Sequence, residues 1–157
     1  MNKPELRRAI LAALEAELAQ QTAAAQLARD EAISEESRPE SKYDTHSQEA
    51  AYLAEGQARL AGEIAQSLAQ YTSLPLPAFA PGAAIALGAV VSIGERGRAT
   101  WYFVGPRAGG LQVTVEGREL LVVTPQSPLG RQLLGRTAGD GVTLPGRRGP
   151  VPILTVE

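Results

Sequence analysis

"TSLPLPAFAPGAAIALG" (Thr72–Gly88) divides the chain into two regions of different period. Pro75, Pro77 and Pro81 cannot sit inside a helix, because each lacks an amide hydrogen and its ring clashes with the preceding turn. With Gly82 they make a semi-stiff linker. Before the linker, apolar residues recur every three or four positions; after it, every second position. The sequence therefore predicts an α+β chain, with a helical region over 1–72, a linker over 73–88 and a sheet domain over 89–157.

Upstream, residues 4–32 read as a helix that starts at Pro4, where a missing amide hydrogen costs nothing. Leu11, Leu14, Leu18, Gln21, Ala25, Ala28 and Ala32 form a seam of the coiled-coil kind. A second helix over 46–72 answers it with Ala50, Leu53, Gln57, Leu60, Ile64, Leu68 and Tyr71. Between them, Ser34, Ser37, Pro39, Ser41 and Asp44 compete with helical hydrogen bonding. Thr45 followed by Gln48 fits a capping box that restarts the helix. The expectation is an antiparallel helical hairpin, roughly 40 Å long at about 1.5 Å per residue, made slim toward its bend by alanines.

That bend is acidic. "EAISEESRPESKYDTHSQE" (Glu31–Glu49) carries Glu31, Glu35, Glu36, Glu40, Asp44 and Glu49 around Pro39. Two readings stay open: a solvated turn paired locally with Arg38 and Lys42, or a tip that carries a metal ion. Asp44 also suits a helix N-terminus, where the dipole favours a carboxylate.

Downstream of the linker, "AVVSIG", "ATWYFVG", "LQVTV", "ELLVVT" and "VPILTV" are short β-branched or aromatic runs set off by glycine-bearing turns. "SPLGRQLLG" interrupts them as a short helix with Pro128 in its first turn and Gly135 at its stop. A small twisted antiparallel sheet on one short helix is expected. Trp101 and Tyr102 are consecutive on a strand, so one should point inward and the other outward.

Composition narrows the function. There are no cysteines, and His46 is the single histidine. Disulfides, cysteine zinc sites and multi-histidine centres are excluded. Glu15 and Glu17 fall where a signal peptide needs an apolar run, and the apolar stretch Ala83–Ile93 is too short to span a bilayer; a cytoplasmic location is expected. The net charge of −2 hides a split. Residues 1–72 hold seven basic against twelve acidic side chains, a sum of −5, whereas 73–157 hold eight against five, a sum of +3. The eight arginines have no stacking aromatics interleaved, so sequence-specific DNA binding is not expected and an acidic protein surface is the better partner. No phosphate loop or nucleophile constellation is present, so the chain is not expected to be an enzyme on its own.

"TPQSPLGRQLLGRTAGDGVTL" (Thr124–Leu144) resembles the C-terminal signature of the bacterial Gre transcript-cleavage factors. Ser127-Pro128, the helix ending in Leu133-Leu134-Gly135-Arg136, and Gly139-Asp140 occur in the family's order, and "WYFVG" (Trp101–Gly105) and "PILTV" (Pro152–Val156) resemble its strands. The resemblance implies an FKBP-like domain that docks on bacterial RNA polymerase, here through Ser127, Pro128, Leu129, Arg131, Leu134 and Arg136. It also implies a coiled coil that enters the secondary channel toward the 3′ end of backtracked RNA, and Mg²⁺ shared with the polymerase rather than a tightly bound cofactor. Aligned on Tyr52, the family's two tip acids fall at Thr45 and Gln48, neither of them a carboxylate. Either a rearranged set of Glu40, Asp44 and Glu49 stimulates cleavage, or the arm occupies the channel without cleavage. The alternatives from other classes are a coiled-coil interaction module with an inert acidic turn, and, on fold analogy alone, a peptidyl-prolyl isomerase.

Overall fold

A computed structural model of the chain describes residues 1–36, 45–95 and 97–157. Helix α1 spans Lys3–Glu36 and helix α2 spans Thr45–Ser73. Helix α1 runs four residues past the expected end at residue 32. Ser34 disfavours a helix by only tenths of a kcal/mol, and Pro39, the stronger breaker, lies further on. The six strands are β1 (Val90–Glu95), β2 (Arg98–Val104), β3 (Gln112–Val115), β4 (Arg118–Val123), β5 (Gly141–Val142) and β6 (Val151–Val156), with the short helix α3 (Pro128–Leu133) between β4 and β5. The fold class is α+β. By internal contacts the chain forms two compact units, one of Met1–Ala12 with Ala69–Glu157 and one of Ala13–Leu68.

In the first unit the strands form one mixed sheet in the order β3-β4-β2-β1-β6-β5. The expected all-antiparallel sheet is corrected at one place: β2 and β4 run parallel, from Trp101 opposite Leu120 to Val104 opposite Val123. The β3–β4 hairpin causes this. The chain leaves β2, crosses to the sheet edge to lay down β3, and returns inward as β4 in the direction of β2. A parallel neighbour needs such a crossover, and reading strands in sequence order misses it.

Residues on both faces of the sheet are buried. Tyr102, Val91, Ile93, Val104, Val123 and Ile153 form a cluster with Ile85 and Leu133, against which Phe79, Leu129 and Leu121 pack. The opposite alternation buries Val90, Phe103, Leu120 and Val122. Tyr71, from the end of α2, lies with its ring centroid 6.4 Å from that of Phe103, and Leu6 and Ile10 from the start of α1 are fully buried in the same unit. The Tyr71 hydroxyl donates to the carbonyl of Arg107 at 2.8 Å. A side chain at Gly105 would collide with that hydroxyl, since a Cβ there would lie 2.1 Å from it. The linker is held by the start of α1: Lys3 Nζ donates to the carbonyls of Pro77 and Gly88, and the Arg7 guanidinium to that of Leu74. Lys3 also lies 4.6 Å from the ring centroid of Phe79, and burial pushes its pKa down.

The second unit is the two helical stretches between Ala13 and Leu68. On α1 the expected seam is present: Leu14, Ala25 and Ala28 are buried and Leu18 and Gln21 half-buried. On α2 the seam is displaced. Leu53 and Leu60 are 57% and 43% exposed, while Ala54 is buried and Ala61 half-buried. Ala54 and Ala61 take the inward places, each one residue along from an expected leucine. Gln57 and Ile64 keep their expected places.

Candidate functional site

Two places were expected to carry function, the acidic bend and the Thr124–Leu144 segment. At the bend, Glu40 and Asp44 lie outside the described residues. Glu49 is on the second turn of α2 and exposed. Among the described residues, no three Asp, Glu or His side chains come together in a way that could hold a metal ion.

The C-terminal segment is fully described, and its chemistry begins with local folding. Ser127 caps α3: its Oγ accepts from the Gly130 amide at 3.0 Å and donates to the Thr124 carbonyl at 2.8 Å. Pro128 follows at the first helical position, where no amide donor is needed. Gly130 is buried against the turn it caps. A Cβ there would lie 1.8 Å from the Thr124 carbonyl oxygen, so only glycine fits. Helix α3 ends on Leu133, fully buried, and Gly135 then adopts φ +78°. The left-handed conformation suits glycine, which has no Cβ to clash. It sets up two backbone bonds, Gly135 N–H to the Ile85 carbonyl at 2.9 Å and Ile85 N–H to the Arg136 carbonyl at 2.8 Å.

The Gly-Asp part of the signature is a second clasp. The Asp140 carboxylate accepts from the Thr137 amide at 2.8 Å, and the Arg136 guanidinium donates to the Gly141 carbonyl. Gln132 ties α3 to the residue after β5 in both directions, donating to the Thr143 carbonyl at 3.1 Å and accepting from its amide at 2.9 Å. Gly139 and Asp140 exchange backbone bonds with Ile153, which ties the loop to β6.

The six expected contact residues therefore divide. Ser127 and Arg136 are engaged in caps and clasps, and Leu129 packs against the core. Pro128, Arg131 and Leu134 face solvent, Leu134 with 37% of its surface exposed.

Of the aromatic pair, Tyr102 is the inward one, and burial pushes its phenol pKa up. Trp101 is half-buried, with the Arg118 guanidinium 4.8 Å from its ring centroid. Alternation predicted the in–out split. The cation–π partner comes from the parallel strand, and no local motif announces it.

No protein-family model matches this chain, and no curated protein does. Among solved structures it is similar to the GreA factor homolog 1 (Gfh1) of Thermus thermophilus, with 17% identity, 94% of each chain covered and a TM-score of 0.37. A structure of the transcription factor Gfh1 gives 21% identity, 94% of this chain and 93% of that one, and a TM-score of 0.38. Thermus aquaticus Gfh1 gives 23% identity, 91% and 90% coverage, and a TM-score of 0.36.

Proposed function

We propose that this protein is a Gre-like regulator of bacterial RNA polymerase, with the sheet domain docking on the enzyme and the helical hairpin entering its secondary channel. One observation carries the reading. The Ser-Pro, Leu-Leu-Gly-Arg and Gly-Asp elements of the signature fold as one capped and clasped unit, on an α+β chain whose helical pair comes first. The docking side chains are Pro128, Arg131 and Leu134, and the FKBP-like reading of the sheet domain belongs to this proposal. Thr45 and Gln48 at the aligned tip positions favour an arm that fills the channel without delivering Mg²⁺. A cleaving arm would need Glu40, Asp44 and Glu49 to converge.

The test is transcript cleavage on a stalled, backtracked complex, with wild type beside Glu40→Ala and Asp44→Ala. Channel occupation gives no short 3′ fragments, but it blocks an authentic Gre factor from releasing them. Fragments that vanish with either substitution make the bend a metal-delivering tip. Absence of both effects overturns the polymerase reading. Arg131→Ala and Leu134→Ala should each weaken co-purification with polymerase about tenfold at unchanged folding. Ser127→Ala should instead cost about 1 kcal/mol of stability through the lost cap.

A further inference from the structure

The far part of α2 carries two overlapping seams. The structure uses Ala54, Gln57, Ala61 and Ile64 as its inward positions. Leu53, Gln57, Leu60 and Ile64 make an equally regular series, spaced four, three and four, and two of those four positions are shared. Passing from one series to the other moves only two positions by one residue each. At about 100° per residue, this is a rotation of roughly 50° averaged over the four. It breaks no backbone hydrogen bond and needs no shift along the axis.

Two observations and one packing argument set the two registers against each other. The alanine register leaves Leu53 and Leu60 in water with 57% and 43% of their surface exposed, and Leu27 on α1 with 64%. Leucine buries more apolar surface than alanine, so the hydrophobic term favours turning them in. Small inward side chains allow two helices to approach closely, and dispersion between the backbones then favours the register seen. Gln57, common to both, should decide the matter, because a polar seam residue fixes register through its hydrogen bonds. Its Oε1 is buried without a partner among the described residues.

We propose that the arm is a two-register hairpin, exchanging between the slim alanine seam and a thicker one that takes Leu53 and Leu60 inside. The slim state displays an apolar stripe of Tyr52, Leu53 and Leu60, and the thick state withdraws its two leucines. This device does not depend on the polymerase reading.

The chain has no cysteine, so a single introduced thiol reports one site. The experiment measures the rate at which Ala54→Cys in the full-length protein reacts with a maleimide, relative to the same variant unfolded in urea. A two-register arm lets the thiol introduced by Ala54→Cys react at more than a tenth of the unfolded rate. Adding Leu53→Ser and Leu60→Ser removes the reason for the thick state, and the reaction then slows at least threefold. Fraying of the helices would also expose the thiol, but serines on the outside would leave that rate unchanged or raise it. An unchanged or faster rate overturns the proposal, as does a thiol fully protected from the start. Ala61→Cys repeats the test at the second exchanged position, should Ala54→Cys disturb the seam.

Discussion

The two compact units bury their helices in opposite styles. In the sheet unit Leu6, Ile10, Tyr71 and Phe103 are each at most 1% exposed, so each of these large side chains has found a full set of neighbours. Between Ala13 and Leu68 the far seam consists of Ala25, Ala28 and Ala54, while Leu27, Tyr52, Leu53 and Leu60 stay in water. Large buried side chains give a unit that opens only as a whole. A seam of methyl groups gives one that opens locally, with little apolar area at stake in each turn. The same chain thus joins a unit filled by large buried side chains, the platform, to one whose far seam is made of methyl groups, the arm.

Phe103→Ala strikes the platform hardest. It empties the space beside the Tyr71 ring and should cost about 3–5 kcal/mol. Trp101, the single tryptophan, sits in the same sheet and reports the loss as a lower urea midpoint of fluorescence. A loss below about 1 kcal/mol would mean that the platform adapts as freely as the arm, and the contrast would dissolve. Gly130→Ala comes next. The new methyl meets the Thr124 carbonyl oxygen at 1.8 Å in a place held by the Ser127 cap, so the turn must move. Overpacking of this kind costs about 1–3 kcal/mol, again read from the urea midpoint.

How much of this contrast is legible in the sequence depends on the range of the signal. The helical pair, the proline linker, the strands and the glycine stop of α3 all rest on local rules, and Ser127-Pro128 and Gly135 do in the fold what their types predict. The parallel pairing of β2 with β4 depends on which edge the β3–β4 hairpin joins, and no periodicity encodes that. The α2 seam departs from its expected course for a related reason. A leucine series and an alanine series one residue apart both satisfy the period, and the choice rests on how closely the partner helix comes. At the candidate site, the residue types of the signature are readable but their division of labour is not. Whether Arg136 meets a partner or the Gly141 carbonyl depends on a loop closed by Asp140, four residues further along the chain.

Tyr71→Phe sharpens the comparison at the platform's edge. The ring stays and only the hydroxyl bond to the Arg107 carbonyl goes, at a cost of about 1 kcal/mol at neutral pH. Burial raises the Tyr71 phenol well above its ordinary value. The folded state then holds this proton more tightly than the unfolded chain, whose phenol titrates near about pH 10. Its contribution is complete below that pH and is lost as pH climbs from there toward the folded value. Wild-type melting temperature should therefore fall above about pH 10, and Tyr71→Phe should flatten part of that fall. Tyr102, raised in the same direction, retains the remainder. Identical alkaline limbs in the two proteins would show that the Tyr71 proton is not held by the fold.

The smallest effect tests the arm itself. Ala28 is buried, so Ala28→Gly removes one methyl and loosens the backbone, together worth about 1 kcal/mol. In a cooperative protein that amount would appear everywhere at once. In an arm that opens on its own it appears only locally: hydrogen exchange should quicken about fivefold for amides of the helices between Ala13 and Leu68, while β1, β2 and β4 exchange as before. A uniform acceleration across helices and strands would mean that the arm and the sheet open as one unit. The alanine seam would then be a matter of shape alone, and the arm would share the stability of the platform.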